Sequence, residues 1–510
     1  MCGVKCSGVT TAVGALLVVG SCVLSFVFIP DIIQNVIKSE VLLINDTIQM
    51  ERFETVPFGL NFNVRIFNLS NPDAVMEGAV PVVEEIGPYV YRLYQSREFL
   101  DMEDDKLWYR RRERFEFDPI ASYPYREEDM VTIANVPYNA IIQVAESQFP
   151  ALMPLLNLAM DGVFGQYNSP VATFNVRDLF FEGIPLCKNA GMVGGFACGV
   201  IKDIGASSHN IEEQEDGSLT FSILAYKEKL PSADYEVLRG LNDPADLGRI
   251  IRYNESHYFS FWTQEKEDEV SVCNMINGTD SGIFAPFVDR TRSIYAINTD
   301  ICRSVELRYQ FDTEYEGIPT VRYAANEWLL DNDDGCFCLN VTRGLNREDG
   351  CLLRGAMELY SCVGAFLVMS YPHFLYADAT YRNGVVGMRP DEDNHKIFLD
   401  IEPNTGTPIV GAKRAQFNVF MRSVTGIPPT RNLRTTLVPF LWVEESMFLP
   451  EEFVGELTNR LLSSLSLVDI LIPVLITVCC LVLLLGVGFL IRAKYLKRNP
   501  TVLSNNAEVQ

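Results

Sequence analysis

The chain is 510 residues long, 48% hydrophobic and 21% charged, with a formal net charge of −24. It is too apolar for a disordered polypeptide and long enough to bury a large core. Of its 42 basic and 66 acidic residues, five and one lie outside residues 30–469, leaving 37 against 65 within, so no nucleic-acid partner is expected.

Residues 1–7 carry Cys2 and Cys6, and Gly8–Ile29 then runs 22 residues without a charged side chain. At about 1.5 Å per helical residue, that length crosses the roughly 30 Å hydrocarbon layer of a bilayer. The apolar stretch exceeds the roughly 7–15 residues of a signal-peptide core, and no small-x-small site precedes Pro30-Asp31. Ile470–Ile491 is a second uncharged stretch of the same length, followed by Arg492, Lys494, Lys497 and Arg498 and preceded by Asp469. The basic flank predicts a cytoplasmic C-terminus, and two spans then place the N-terminus on the same side. The expected organisation is a cytoplasmic N-tail (1–7), a first transmembrane helix (8–29), an extracellular domain (30–469), a second transmembrane helix (470–491) and a cytoplasmic C-tail (492–510). Cys2 and Cys6 are candidates for S-palmitoylation beside the inner leaflet.

Two further signals agree with an extracellular middle. Eight of the 13 cysteines fall there (Cys187, Cys198, Cys273, Cys302, Cys336, Cys338, Cys351 and Cys362), as expected of disulfides in an oxidising compartment. Glycosylation sequons at Asn45, Asn68, Asn254, Asn277 and Asn340 fall there too. Cys336 and Cys338 are too close to bridge each other without strain, and eight cysteines otherwise leave 105 connectivities open.

No repeat or long linker divides residues 30–469, so one large domain is expected. Much of it reads as strand. Phe62, Val64 and Ile66 alternate with Asn63 and Arg65, and Phe417, Val419 and Met421 alternate with Asn418 and Arg422. Gly87-Pro88, Asn71-Pro72 and Pro428-Pro429 punctuate such segments, and a mainly antiparallel sheet or barrel is predicted.

Ala151–Phe164 departs from that pattern. Leu152, Leu155, Leu156, Ala159, Met160 and Val163 follow helical spacing, while Met153, Leu158 and Phe164 make the other face apolar as well. Ile141, Val144 and Ala145 suggest a preceding short helix stopped near Pro150. Residues 127–176 contain no Lys or Arg, which reads either as a buried helical pair or as an apolar surface receiving a lipid. Further on, Phe453, Leu457, Leu461, Leu462 and Leu465 predict a helix that starts at Pro450-Glu451-Glu452 and runs into the second span.

Catalytic motifs are missing: there is no Gly-x-Ser-x-Gly, no His-Glu-x-x-His, no phosphate loop and no Cys-x-x-Cys. His209, His257, His373 and His395 are scattered, and the acidic runs at 265–269 and 391–395 do not follow a calcium-loop pattern, so they read as solvated charge. Neither an enzyme nor a metal or cofactor site is expected. A two-span ligand-gated channel shares the topology, but the second span offers mainly Thr477, Gly486 and Gly488 amid Val and Leu as pore-lining candidates.

The segments RIFNLSNPDAV (65–75), VEEIGPYVYR (83–92), NGTDSGIFAPF (277–287), DICRS (300–304), YPHFLYAD (371–378), DIEPNTGTPIVGAKRAQFNVF (400–420) and FLWVEES (440–446) resemble the class B scavenger receptor family. Within it, RDLFFEG followed by Cys187 and Cys198, and CNMINGTDSGIFAP around Cys273, resemble the insect sensory neuron membrane proteins. The resemblance implies an α+β fold: a large antiparallel β-barrel ectodomain with an apical helical bundle and an internal apolar tunnel, anchored by two transmembrane helices. It also implies disulfides Cys273–Cys336, Cys302–Cys362 and Cys338–Cys351, leaving Cys187 to pair with Cys198.

The function implied is that of a plasma-membrane receptor for a long-chain apolar lipid. Fatty-acid-derived pheromones would pass through the tunnel to the membrane or to an odorant receptor complex. General uptake of fatty acids, carotenoids or lipoprotein lipid is the alternative. Because residues 127–176 lack the lysines of anion-binding relatives, the expected ligand is uncharged or weakly polar, with Phe149, Leu152, Leu155, Leu156, Met160 and Phe164 near the tunnel mouth. The tail after residue 491 has no acidic dileucine signal, which favours the cell surface over the lysosome.

Overall fold

Apolar-polar alternation builds the first strand, Leu60–Leu69 (β1), in which Phe62, Val64 and Ile66 are buried and Asn63 and Arg65 are half-buried. The computed structural model describes residues 4–205, 208–262, 271–331 and 336–498. It is mixed α+β and divides into two compact units, one made of Leu42–Tyr315 with Pro319–Leu449, the other of the terminal segments with Glu316–Ile318.

The larger unit is organised by one antiparallel sheet. After β1 come Val83–Glu103 (β2), Lys106–Phe117 (β3), Tyr235–Leu238 (β4), Ile250–Tyr253 (β5), Ile294–Asn298 (β6), Arg303–Tyr315 (β7), Ile318–Ala325 (β8), Ile397–Ile401 (β9), Pro408–Met421 (β10) and Thr436–Phe448 (β11). Their spatial order is β5-β4-β3-β2-β1-β11-β10-β9-β8-β7-β6. The last strand therefore zips onto the first, setting Val64 opposite Val443 and Arg65 opposite Trp442.

The sheet is not closed into the expected barrel. Its edges, β5 and β6, share no ladder, because the segment at Gly278 and Thr279 occupies the seam. Ile250 N donates to Gly278 O at 2.9 Å, Thr279 N donates to Tyr295 O at 3.2 Å, and Ile297 N donates to Thr279 O at 2.8 Å. Edge groups that would otherwise stay unpaired are thus satisfied by a loop. Gly278 is required there: its φ is +90°, and a Cβ would lie 1.9 Å from Tyr295 O.

The expected alternation at Phe417–Met421 also fails. Asn418 is fully buried, because Leu367–Ser370 pairs with β10 and a bulge falls between Phe417 and Asn418. Its amide donates to Val368 O at 2.9 Å and to Ser370 Oγ at 3.0 Å, and its Oδ1 accepts from Gln416 Nε2 at 2.8 Å. Fully paired, these buried amides fix the register rather than weaken it.

Three helices cover part of the sheet: Val136–Gln148 (α1), Met153–Phe164 (α2) and Gly191–Gly205 (α3). Asn135 caps α1 by accepting from Tyr138 N, and Pro137 suits its first turn. Pro150 starts a short 3₁₀ turn, Pro150–Leu152, so α2 begins at Met153 rather than Ala151.

Within the terminal unit, Val4–Val41 and Glu451–Arg498 are continuous helices long and apolar enough to cross a membrane. Both extend past the 22-residue stretches read from the sequence, and the second starts at Glu451 as predicted. They pack backbone to backbone: a Cβ on Gly14 would lie 2.7 Å from Leu483 Cα, and one on Gly486 would lie 2.9 Å from Thr11 N.

Two of the scattered histidines meet in the larger unit. His373 stacks on His395 with ring centroids 4.6 Å apart, His395 packs edge-on to Trp442, and Trp442 Nε1 donates to Glu85 at 3.0 Å. Burial and the neighbouring His373 lower the His395 pKa to about 4. The unfolded chain, with an ordinary value near 6.5, binds the extra proton first, so this contribution is complete above about pH 6.5 and is lost on descent towards pH 4.

Unfolding of the full chain in detergent should therefore show stability falling over that window by at most about 3 kcal/mol, and His395→Gln should flatten the slope. A wild-type profile that His395→Gln leaves unchanged would show that His395 is not its source. Gly278→Ala should cost about 3 kcal/mol in denaturant unfolding, and an unaltered midpoint would contradict the role given to the seam.

Candidate functional site

A cavity of about 210 Å³ lies in the larger unit between the three helices and the sheet. Helical spacing turns Val136, Ala140 and Val144 of α1 towards it, and Phe196 and Val200 of α3 face it from another side. Its floor is sheet: Phe62 of β1, Phe417 of β10, and Phe440 and Leu441 of β11. Apolar lining makes such a space favourable for hydrocarbon and unfavourable for water.

Of the six residues predicted near a ligand, Phe149, Leu152, Leu155 and Leu156 line this cavity. Met160 and Phe164 do not. Both are buried in the core behind the wall, where Phe164 packs against Tyr138 with centroids 4.9 Å apart. Apart from Asn157 and Asp161 the helix is apolar, so its spacing could not say which end faces space and which faces core. Leu158, 74% exposed, points to solvent. At this size the cavity is below the roughly 300–1,000 Å³ of sites that enclose a drug-sized molecule. By itself it is not the continuous tunnel implied by the resemblance.

Sequence reasoning missed α3, whose five glycines within GMVGGFACGVIKDIG lower its helix propensity. One of them, Gly194, serves packing, since a Cβ there would lie 3.1 Å from Ala190 Cβ and 3.3 Å from Gly162 Cα of α2, and a Cβ at Gly162 would lie 2.6 Å from Ala190 O. The Cys187–Cys198 disulfide ties α3 back to the chain before it.

Further cross-links join Cys273 to Cys336, Cys302 to Cys362 and Cys338 to Cys351, and with Cys187–Cys198 they are the four pairs named above. Cys302–Cys362 joins the turn carrying Asp300 to the helix Tyr360–Val363, and Asp300, Leu359 and Val363 all line the cavity. Beside Cys338, the buried Glu358 carboxylate accepts from the backbone N–H of Leu339, of Asn340 at 3.0 Å and of Thr342 at 3.1 Å.

The cavity receives one ammonium that the stretch 127–176, which has no Lys or Arg, did not foretell. Lys227, on the short helix Ala225–Lys229, places Nζ 2.8 Å from Asp300 Oδ1 and 3.6 Å from Glu113 Oε2. Burial opposes its charge, but Asp300 and Glu113 outweigh burial and hold the ammonium well above its usual range. Glu113 in turn accepts from Arg111 at 2.6 Å. Among the described lining residues, Lys227 and Asp300 are the only charged ones.

The sequon asparagines are dispersed. Asn45, Asn254 and Asn340 are exposed, while Asn68 and Asn277 are half-buried, with Asn68 accepting from Thr132 N at 2.9 Å. Cys6 lies on the first turn of the N-terminal helix, where its sulfur is disulfide-bonded. Cys2 and the acidic run 265–269 lie outside the described residues. The run at 391–395 forms a capped turn in which Asp391 accepts from Asn394 N. Among the described residues no group of three or more His, Cys, Asp or Glu is placed to hold a metal.

Replacing Cys187 and Cys198 together by Ser should lower stability by about 2–3 kcal/mol and free α3, read as increased hydrogen exchange over residues 191–205. Exchange confined to other segments would contradict the tether assigned to this disulfide.

The sequence profile of the CD36 family matches residues 12–490. Sensory neuron membrane protein 2 of Drosophila melanogaster is 33% identical over 519 residues, covering 91% of this chain and 93% of its own. Sensory neuron membrane protein 2 of Aedes aegypti is 32% identical, covering 83% and 88%. Sensory neuron membrane protein 1 of Pediculus humanus subsp. corporis is 32% identical, covering 82% and 80%. With that profile and these relatives spanning most of its length, the chain belongs to the CD36 family, the class B scavenger receptors.

Proposed function

We propose that the protein is a cell-surface receptor that captures an uncharged or weakly polar, fatty-acid-derived lipid in the cavity under α1–α3. It delivers the lipid to the membrane or to an odorant receptor complex. The observation that carries this reading is the cavity itself, with walls of hydrocarbon and one internally neutralised ion pair. Each methylene buried there gains roughly 0.8 kcal/mol, so capture and release need no bond-making. Membership of the CD36 family and relatives named sensory neuron membrane proteins support a membrane receptor in a sensory setting.

The two terminal helices act as transmembrane anchors with both ends cytoplasmic. Arg492, Lys494, Lys497 and Arg498 follow the positive-inside pattern, and the four disulfides of the larger unit and the sequons belong on the outer side. Asn45, Asn254 and Asn340 are the proposed glycan carriers on the grounds of exposure.

Leu156→Asp places a carboxylate in the cavity wall, at a desolvation cost of several kcal/mol for any lipid that must lie against it. In cells expressing the full chain, lipid-evoked responses should disappear while surface labelling is retained. Unchanged sensitivity to lipid would refute the placement of the ligand.

A further inference from the structure

We infer that Lys227, held in place by Asp300, is the head-group contact of the cavity and sets its preference for a neutral hydrogen-bond acceptor over a carboxylate. The inference rests on the lipid-binding reading and adds to it the residues that choose the head group.

A long-chain lipid has one end that hydrocarbon cannot satisfy, and the cavity has one region able to satisfy it. Lys227, Asp300, Tyr226 and Asn210 share that part of the wall. Asn210 spends its amide hydrogens on Ser222 O at 2.9 Å and Ile223 O at 3.0 Å. Tyr226 stacks on His209 with centroids 5.7 Å apart. Lys227 is therefore the cationic donor at this end, and an ammonium has three protons to give.

Charge balance decides what it can receive. Lys227 and Arg111 carry two positive charges, and Asp300 and Glu113 carry two negative charges, linked by contacts of 2.8, 3.6 and 2.6 Å. These four charges sum to zero, and the charged groups behind them are paired as well, Lys413 with Glu445 at 2.8 Å and Asp280 with Arg97 at 2.6 Å. A hydroxyl, aldehyde or ester oxygen can accept from Lys227 and leave that balance intact. A carboxylate adds a third negative charge beside Asp300, so it enters desolvated and repelled, and its binding requires either a proton or loss of the Asp300 contact.

The arrangement is also held from outside. Asp300 lies two residues from Cys302, whose disulfide to Cys362 fixes the turn against the Leu359–Val363 wall. Its carboxylate is about half exposed, so Asp300→Asn removes the charge without leaving a buried cavity.

The test is competition against a fluorescent long-chain probe by an alcohol, an aldehyde and a carboxylate of equal chain length, using the full chain in nanodiscs at mildly alkaline pH. Wild-type protein should favour the alcohol and aldehyde over the carboxylate by about tenfold or more. Asp300→Asn should erase most of that ratio by strengthening carboxylate binding. Lys227→Gln should weaken alcohol and aldehyde about tenfold. If both variants bind all three lipids with the wild-type ratio, the inference is overturned while lipid capture stands. If the wild-type chain binds neither the probe nor any competitor, the lipid-binding reading falls and takes this inference with it.

Discussion

Contact between the helices α1–α3 and the apolar face of β1, β10 and β11 is the interaction on which the rest of the molecule depends. It has to be strong enough to hold the helices down and incomplete enough to leave space beneath them. Covalent and polar links hold the walls: the Cys187–Cys198 tether on α3, the Cys302–Cys362 link on the opposite wall, and the Asn418 and Gln416 amides paired with the Ser370 hydroxyl within the sheet.

Electrostatics follow from the same requirement. The chain is strongly acidic overall, yet the cavity wall offers an incoming molecule a single ion pair whose charges cancel. Glu113, Arg111, Asp300 and Lys227 compensate one another locally, so the interior does not inherit the net charge of the exterior. The acidic exterior disfavours polyanions, while the cavity wall presents mainly hydrocarbon with Lys227 as its ammonium.

Much of this was legible in the residues. Alternation at Phe62, Val64 and Ile66 gave β1, because that strand has one buried and one wetter face. Two uncharged stretches gave the terminal helices, and family motifs carried the cysteine pairs. What could not be read depends on contacts distant in sequence. That the sheet stays open turned on the segment at Gly278 filling the seam between β5 and β6, and no periodicity encodes the partner of an edge strand. The burial of Asn418 depends on Leu367–Ser370 covering β10. Helix α3 was hidden by its glycines, which raise the cost of helix formation, while Gly194 among them permits the approach of Ala190 and α2. Met160 and Phe164 lie in the core beyond the cavity wall, and apolar residues spread over much of α2 gave no sign of which end faces space. Lys227 enters the wall from a segment well beyond the stretch without Lys or Arg that drew attention.

The most direct test is photolabelling of the full chain in nanodiscs with a long-chain alcohol bearing a terminal diazirine, followed by mapping of the adducts. The account predicts adducts on residues 149–156, 196–201 and 440–443, displaced by excess unlabelled alcohol. Displaceable labelling confined to the terminal helices Val4–Val41 and Glu451–Arg498, with none on the cavity wall, would contradict it.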